Sequence, residues 1–470
     1  MKFSDILRLS IILLLFSGCS QIPNVHQTEG SRLLIRNINK VIDVSGLQPN
    51  LGIKVLSLHS GQTLYSLNSN HLFTPASNNK LFTAISALKL LTPVFQFSTT
   101  VSRQNNTIAL TGGGDPDLSL AQLDSLAKMV SQTVTQIDTL FIDDSLFDSM
   151  PYGEGWMWDE GPWWYAAPVS ALTVNDNCMD FYITPGEIGE AVIAEFTPNT
   201  NFISLTNHSI TVNDTTGFEK LSIDRDWLNH ANDFTISGNV MDTTATDTLF
   251  RNIEDPSLFS GTVFKEMLES YGGTVNIVAE GSLFGEIRLI AKIHSAPLIK
   301  SVTNLMKESD NLTAEMLIKM IGNISTGKQG SWTNGLTAVK MFLQNEIGID
   351  TTLLRIADGS GVSRYNLTTP DILVNLLTYA YHSQDLRELF ISTLPVGGWD
   401  GTLKNRMDTS IGSRIHAKTG TLSGVSCLSG YAMSLSGEPL AFSIMVNGYV
   451  GSAKPYRKLQ DDICKILASY

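Results

Sequence analysis

At residues 74–82 the chain reads TPASNNKLF, a stretch that combines a helix start with a pair of reactive side chains. Apolar residues recur at helical spacing from its end onward, at Leu81, Phe82, Ile85, Leu88 and Leu91. This pattern predicts a helix that has Ser77 in its first turn. Because three residues make just under one turn, the Ser77 hydroxyl and the Lys80 amine share one face. A lysine whose pKa is lowered by burial or by other cations can take the proton of a serine hydroxyl and make it a nucleophile.

The Ser-x-x-Lys pattern by itself does not identify a nucleophile. It also occurs elsewhere in the chain, at Ser86/Lys89, Ser125/Lys128 and Ser325/Lys328. Any one copy is compatible with an ordinary polar pair on a helix surface. The function therefore has to follow from motifs outside this stretch.

Composition indicates a globular protein with a large core, since 43% of the 470 residues are hydrophobic and 16% are charged. The length predicts roughly two to four domains. The net charge is −13, and the sequence has no basic stripe. We therefore expect no nucleic-acid partner, because nothing would neutralise a row of phosphates.

Residues 1–19 have the pattern of an export signal. Lys2 and Arg8 flank the start, an apolar run covers residues 11–16, and small residues lead to Cys19. The pattern resembles a bacterial lipoprotein signal, whose cleavage leaves the cysteine as an acylated first residue. We expect a protein exported to the bacterial periplasm or cell envelope and held at the membrane by a lipid on Cys19. The alternative is a plain secretory signal with an incidental cysteine.

The remaining cysteines, Cys178, Cys427 and Cys464, lie far apart and form no CxxC pair. They are predicted to be buried thiols with at most one disulfide. The histidines form no ligand-like cluster and no HExxH motif occurs, so we expect no metal and no cofactor.

The order of the predicted elements indicates one domain split by an insertion. Strands are predicted at 51–58 and 63–67, helices from 295 to about 394, three strands at 416–422, 425–435 and 440–449, and a last helix at 454–468. Between them, an α/β pattern that includes a helix over residues 255–275, together with short alternating runs, predicts inserted material. The predicted domains are a split domain (20–94 and 291–470), an inserted α/β domain (95–176 and 243–290) and a small nested β domain (177–242).

Two further motifs accompany Ser77 and Lys80. Ser309-Asp310-Asn311 precedes an apolar helix, and Lys418-Thr419-Gly420-Thr421 lies on the first late strand. Taken alone, the first could be a helix N-cap and the second an edge-strand lysine beside a turn. In the order SxxK, SxN, KTG they resemble the signature of penicillin-recognising serine acyltransferases.

The chemistry of acyl transfer needs these residue types. The Ser77 hydroxyl attacks a carbonyl and a neutral Lys80 takes its proton. Ser309 can relay a proton to the leaving amine, and Asn311 can hold Lys80 and the substrate amide. A positive Lys418 suits a terminal carboxylate and helps to lower the pKa of Lys80.

The strand that carries Lys418 supplies the remaining binding groups. Thr419 and Thr421 suit the same carboxylate as Lys418. Gly420 lets the substrate approach as an added β-strand. The N–H groups of Ser77 and Thr421 would form the oxyanion hole.

The spacing of the motifs separates related families. Ser77 and Ser309 are 309 − 77 = 232 residues apart, and Ser309 and Lys418 are 418 − 309 = 109 apart. Class A β-lactamases have a far shorter first interval. The long interval resembles the class C low-molecular-mass penicillin-binding proteins, the D-alanyl-D-alanine carboxypeptidase/endopeptidase family. Further stretches agree, at residues 114–116, 167–172, 358–364, 394–398, 400–403 and 428–431.

This resemblance implies both a fold and an activity. The fold is an α/β (α+β) penicillin-binding, serine β-lactamase-like domain with an antiparallel sheet and a helical subdomain, carrying two nested insertions. The activity is cleavage of D-Ala-D-Ala ends and peptide cross-links of peptidoglycan through a Ser77 acyl-enzyme that β-lactam antibiotics block. The alternatives are a β-lactamase-like hydrolase and a catalytically idle peptidoglycan-binding scaffold.

The resemblance also implies a specificity site. Members of the family recognise the far end of diaminopimelate with an acidic residue in the aromatic segment around Trp156–Tyr165 and with an arginine of the 358–364 stretch. The corresponding residues here are Glu160 and Arg364. The alternative is that both are surface charges.

Overall fold

The computed structural model of the protein describes residues 29–407 and 409–470, so the predicted export signal and Cys19 lie outside the described residues. The α-helices, in chain order, are α1 (Glu29–Ser45), α2 (Lys80–Leu90), α3 (Leu120–Ser131), α4 (Pro256–Ser270), α5 (Leu298–Lys307), α6 (Asn311–Thr326), α7 (Trp332–Phe342), α8 (Pro370–His382), α9 (Arg387–Thr393), α10 (Thr409–Gly412) and α11 (Lys454–Ser469). Within this part of the chain, no helix is long and apolar enough to span a bilayer.

The strands are shorter and more numerous. In chain order they are β1 (Asn50–Ser57), β2 (Thr63–Leu67), β3 (Ser98–Gln104), β4 (Thr107–Thr111), β5 (Gln136–Asp143), β6 (Cys178–Thr184), β7 (Ile193–Thr197), β8 (Ser204–Asn207), β9 (Ile210–Val212), β10 (Ser222–Arg225), β11 (Asp233–Ser237), β12 (Asn239–Met241), β13 (Asp247–Asn252), β14 (Thr274–Glu280), β15 (Arg288–His294), β16 (Ile415–Leu422), β17 (Val425–Met433) and β18 (Pro439–Asn447).

A five-stranded antiparallel sheet joins the two ends of the chain. Its order is β16-β17-β18-β1-β2, so the last of the three late strands, β18, pairs directly with β1 of the early hairpin β1-β2. The register runs from Asn50 opposite Asn447 to Ser57 opposite Leu440. β16 is the edge strand of this sheet. The prediction of five strands split between the two ends of the chain is confirmed.

The two faces of this sheet belong to different cores, because side chains alternate along each strand. One face packs on the helices α2, α5, α6 and α8 through residues such as Cys427 and Met445. The other face packs on α1 and α11 through residues such as Phe442 and Ile444. The sheet is therefore buried between two helical layers, as its nearly continuous apolar strands require.

A second five-stranded sheet lies in the middle of the chain. Its order is β14-β5-β4-β3-β15, and it packs on α3 and α4 around a core of its own. Smaller sheets follow from residues 178–252, with the orders β13-β6-β7, β10-β11-β8 and β12-β9. Among the described residues, none of these strands pairs with the first sheet. The exact division at residues 95, 177, 243 and 291 stays a prediction.

One helix was predicted with its C-terminal end too far along the chain. The helix expected over residues 255–275 stops at Ser270, and Thr274–Glu280 is a strand that pairs in parallel with β5. Gly272, with φ 82°, follows the last turn and gives the left-handed backbone that ends a helix. The buried thiols are confirmed, since Cys178, Cys427 and Cys464 are all free and buried.

Candidate active site

Ser77 lies in a short 3₁₀ turn, Ala76–Asn79, and α2 begins only at Lys80. The prediction that Ser77 belongs to the first α-helical turn is therefore wrong by a few residues. Two buried amides hold the turn. Asn78 Nδ2 donates to the Lys418 carbonyl at 3.0 Å, and Asn79 Nδ2 donates to the Asp358 carbonyl at 2.8 Å.

The backbone before Ser77 adopts a conformation that non-glycine residues rarely adopt. Ala76 has φ 48°, in the left-handed region. Such backbone costs about 1–3 kcal/mol and persists where surrounding contacts enforce it, which is frequent at functional sites. The turn leaves Ser77 half-buried between two clefts.

Lys80 is fully buried and its ammonium nitrogen has three oxygen acceptors. It donates to Ser77 Oγ at 3.0 Å, to Asn311 Oδ1 at 2.5 Å and to the Ser360 carbonyl at 2.9 Å. Burial lowers the pKa of Lys80 to about 8, against the opposing charges of Asp310, Glu315 and Asp358. At pH 7, about a tenth of the Lys80 side chains are therefore neutral.

The Ser309-Asp310-Asn311 motif separates α5 from α6. Ser309 has φ 66°, which breaks the helix predicted to run through this point. Asp310 caps α6 by accepting from the Leu312 and Thr313 N–H groups at 3.0 and 3.1 Å. Besides accepting from Lys80, Asn311 donates to the Tyr165 carbonyl at 2.7 Å. The motif is thus a helix cap and a link to Lys80 at the same time.

Lys418, on β16, completes the cluster. Its buried nitrogen donates to Ser309 Oγ at 2.8 Å and to the Thr419 carbonyl at 3.0 Å. Burial, and then the charge of Lys80, lower the pKa of Lys418 well below its ordinary value. At Lys80 burial is the cause that lowers the pKa, and the charge of Lys418 is not among the causes of that shift. The influence of Lys418 on Lys80 therefore stays a prediction.

Gly420 sits where β16 passes closest to the Ser77 turn. A Cβ at this position would lie 2.7 Å from the Pro75 carbonyl oxygen and 3.0 Å from the Ser77 nitrogen. Real Cβ atoms do not approach backbone this closely, so only glycine lets the strand and the turn meet. Thr419 and Thr421 flank it and face the cleft on one side.

The cleft on one side of Ser77, here called the acidic cleft, measures about 580 Å³. Its charged lining residues among the described ones are Asp159, Glu160, Glu308 and Arg364. Both predicted specificity residues therefore line it. Arg364 donates through both terminal nitrogens to the Ser423 carbonyl at 3.2 Å, rather than to Glu160.

The cleft on the other side, here called the basic cleft, measures about 560 Å³. Ser77, Ser309 and the Thr419–Thr421 segment line its inner wall. The outer wall carries the cations Lys404, Arg406 and Arg457. These three residues were not predicted from the sequence.

A buried carboxylate network holds the loop opposite Lys80. Glu315 accepts from Trp332 Nε1 and from the Gly359 and Ser360 N–H groups, at 2.7, 2.7 and 2.8 Å. Burial, followed by the charge of Asp358, raises the pKa of Glu315 to about 7. This bond set fixes the Ser360 carbonyl that accepts from Lys80.

Asp358 organises the same loop from its other side. Its carboxylate accepts from the Gly361 N–H at 2.8 Å, the Ser363 N–H at 2.6 Å and Asn366 Nδ2 at 2.7 Å. It also accepts from Trp156 Nε1 at 3.1 Å, which ties the aromatic segment to the site. This role could have been predicted from the sequence, because Asp358 is followed by glycines in a polar stretch.

The described residues contain no group of three or more histidine, cysteine, aspartate or glutamate side chains placed to hold a metal ion. The geometry instead joins the Ser77 hydroxyl, the Lys80 amine and the Asn311 amide by hydrogen bonds. Beside them, another hydrogen bond joins the Ser309 hydroxyl and the Lys418 amine. This arrangement can activate a hydroxyl and bind a negatively charged group beside it.

Comparison with known proteins gives one family over nearly the whole chain. The model of the family described as D-Ala-D-Ala carboxypeptidase 3 (S13) matches residues 34–470. A curated relative, the D-alanyl-D-alanine carboxypeptidase of Actinomadura sp. (strain R39), is 34% identical over 95% of this chain and 87% of its own length.

Solved structures show the same fold. Penicillin binding protein 4 (dacB) from Haemophilus influenzae superposes with a TM-score of 0.81 at 25% identity, covering 92% of this chain and 100% of that chain. Its complex with a β-lactam superposes with a TM-score of 0.75 at 24% identity over the same shares. The expected mixed α/β fold with antiparallel sheets is confirmed by these matches.

Proposed function

Since the chain belongs to the D-Ala-D-Ala carboxypeptidase 3 (S13) family and is a serine hydrolase, we propose that it cleaves peptidoglycan stem peptides after D-alanine, with Ser77 as the nucleophile. The reaction would release a terminal D-alanine (carboxypeptidase) or open a D-Ala cross-link (endopeptidase). The observation that carries the proposal is the 3.0 Å contact between the Ser77 hydroxyl and the buried Lys80 amine, whose pKa is about 8.

Acylation follows from these positions. Ser77 Oγ forms a bond to the carbonyl carbon of D-alanine, and its proton passes to neutral Lys80. The N–H groups of Ser77 and Thr421 would stabilise the oxyanion. The proton then reaches the leaving nitrogen through Ser309, and the C–N bond breaks. Water completes the turnover by attacking the ester, with Lys80 again as the base.

Lys418 and its neighbours would hold the carboxylate next to the scissile bond. A bound carboxylate favours the charged form of Lys418, because opposite charges raise the pKa of a lysine. The hydroxyls of Thr419 and Thr421 supply further hydrogen bonds. The same groups would accept the carboxylate of a β-lactam, and a β-lactam complex of the related Haemophilus influenzae protein supports this part of the proposal.

On the acyl side, we propose that Glu160 and Arg364 bind the far end of a diaminopimelate residue. Both line the acidic cleft beside Ser77. A carboxylate and a guanidinium suit an ammonium and a carboxylate on one substrate carbon.

The experiment that tests the nucleophile uses fluorescent penicillin. Wild-type protein should form a stable covalent band, and Ser77→Ala should abolish it while the protein stays folded. Ser125→Ala is the matched control, since Ser125 has the same Ser-x-x-Lys spacing but is exposed on α3. Labelling that survives Ser77→Ala would refute the assignment, and a band that decays within seconds would indicate a β-lactamase instead.

We also propose an envelope location, with residues 1–19 as the export signal and Cys19 as a lipid attachment site. The relatives' activity on cell-wall peptides supports this location. Replacing Cys19 by alanine should move the protein from the membrane fraction to the soluble fraction. An unchanged membrane fraction would exclude the lipid anchor.

A further inference from the structure

The charges around Ser77 are separated into two sides. The charged side chains of the acidic cleft comprise three carboxylates and one cation, and the outer wall of the basic cleft carries three cations. Within the described part of the chain, no carboxylate side chain lines the basic cleft. This concentration of cations is notable in a protein with a net charge of −13.

The three cations differ in how many ion pairs and hydrogen bonds they already form within the protein. Arg406 is paired with Asp461 at 2.6 Å and also donates to the Arg457 carbonyl and to Gln460. Its side chain is mostly buried, with 12% exposed. Arg406 therefore serves chiefly to fix α11 against the 401–407 segment.

Arg457 and Lys404 are exposed and are the cations left for a ligand. Arg457 reaches over the strand that carries Lys418 and donates to Thr421 Oγ1 at 3.3 Å. This neutral contact leaves most of the five guanidinium donors open to an anion. Lys404 stands on the facing wall, in the segment that follows Thr402.

The size of the basic cleft exceeds what a single alanine needs. Its volume of about 560 Å³ lies in the range that holds a whole small-molecule ligand. The carboxylate of a leaving D-alanine is accounted for by Lys418, Thr419 and Thr421 at the inner wall. Arg457 lies beside these groups through its contact with Thr421 Oγ1, and together with Lys404 it is available for a second negative charge on the same leaving group.

We propose that the basic cleft is a leaving-group subsite in which Arg457 and Lys404 select acidic peptides that extend beyond the first carboxylate. The inference rests on the proposed function and names its leaving group. The chemical class is a peptide with a second carboxylate, as the acceptor stem of a peptidoglycan cross-link provides. The site therefore favours cross-link opening over the release of a lone D-alanine.

The covalent step is unchanged by this selection. The Ser77 Oγ–carbon bond forms as the carbon–nitrogen bond to the leaving peptide breaks, and the serine proton ends on the leaving nitrogen. Arg457 and Lys404 take no part in the proton transfers. They act on binding of the leaving group, both before and during bond cleavage.

The test compares leaving groups that differ only in charge. Three substrates share one diaminopimelate peptide followed by D-alanine, and end in D-glutamate, in its neutral isostere D-glutamine, or in D-alanine. Wild type should prefer D-glutamate to D-glutamine by about fivefold to tenfold in kcat/KM, as a partly exposed pair of cations provides. Arg457→Ala and Lys404→Ala should each lower this ratio, and Arg457→Glu should bring it below one.

Lys458→Ala is the matched control, because it removes the same charge one residue further along α11, outside the cleft. Its ratio should equal that of wild type. Equal rates for D-glutamate and D-glutamine in wild type, or an equal loss in the control, would overturn the inference alone. Failure of wild type to cleave any of the three substrates would overturn the proposed function, and the inference with it.

Discussion

Lys80 shows how burial prepares a base without any neighbouring cation being required. Desolvation lowers its pKa to about 8, although three carboxylates act in the opposite direction. A lysine can act as a base only in its neutral form, and it loses its proton as the pH rises through its pKa. The acylation rate should therefore rise about tenfold per pH unit below pH 8 and level off above it.

The measurement is the second-order rate constant for acylation by a β-lactam between pH 5.5 and pH 9. A rate that does not change between pH 5.5 and pH 7.5 would contradict the assignment of Lys80 as the base. Ser125→Ala, which leaves the cluster untouched, should give the same profile as wild type.

A residue can be identified from sequence only where its side chain carries the function. Ser77 and Lys80 belong to one recognisable motif, and a hydrogen bond joins them in the structure. A second bond joins Ser309 and Lys418, which belong to the other two motifs. The carbonyls of Ser360 and Tyr165, which bind Lys80 and Asn311, could not be predicted, because any residue supplies a carbonyl. Their roles follow from backbone position alone.

At the scale of elements, the acidic cleft is shared between two segments far apart in sequence. Glu160 lies in the short helix Trp158–Glu160, and Arg364 lies in the loop that Asp358 organises. Trp156 Nε1 donates to Asp358 and connects the two segments. This hydrogen bond and the ion pair of Glu154 with Arg355 at 3.1 Å therefore both help to set their relative position.

This arrangement predicts a preference for diaminopimelate over lysine at the third position of the stem peptide. A lysine substrate offers no carboxylate to Arg364, which should cost about 1–3 kcal/mol, or roughly tenfold to a hundredfold in kcat/KM. Arg364→Ala and Glu160→Gln should each reduce the preference. Arg36→Ala, which removes an exposed arginine of α1 outside the acidic cleft, is the control. No preference in wild type would show that the cleft serves another group.

The strands of the first sheet and the helices that pack on it could be predicted, because their apolar residues recur with strong periodicity. β14 was missed for a physical reason. Its residues continue the apolar content of α4 across two glycines, and only its parallel pairing with β5 makes it a strand. The basic cleft was missed because Lys404 and Arg457 come from separate elements that meet only in the folded chain.

For the whole molecule, we propose that the middle region (95–290) acts as an insertion attached to the catalytic helices at a few fixed points. Lys319 of α6 is one of them. Its fully buried amine donates to Asp148 and to the Met150 carbonyl, both at 2.6 Å, and lies 4.1 Å from the Trp332 ring centre. The attachment is therefore an ion pair between a buried lysine and a partly exposed aspartate, beside the Trp332 ring.

Removing that amine should destabilise the protein strongly. Lys319→Ala opens a cavity and leaves two oxygens without their charged donor, and water can reach the partly exposed Asp148. The free energy of unfolding should therefore fall by about 2–4 kcal/mol, mostly because of the cavity. Chemical denaturation against Lys328→Ala, an exposed lysine just beyond α6, measures the difference. If both variants unfold at the same denaturant concentration, Lys319 does not hold the two regions together.

The position of β16 at the edge of the first sheet also bears on self-association. An open strand edge invites pairing with the same strand of a second molecule, which is a common route to aggregation. On β16 this edge is free only from Lys418 onward, because residues 415–417 already pair with residues 395–397. A second copy that approached the free part would meet the cations Lys404 and Arg457, which line the cleft there. Like charges would then repel at short range. The cations that favour an anionic peptide at this strand edge therefore disfavour pairing of the edge with a second copy of the protein.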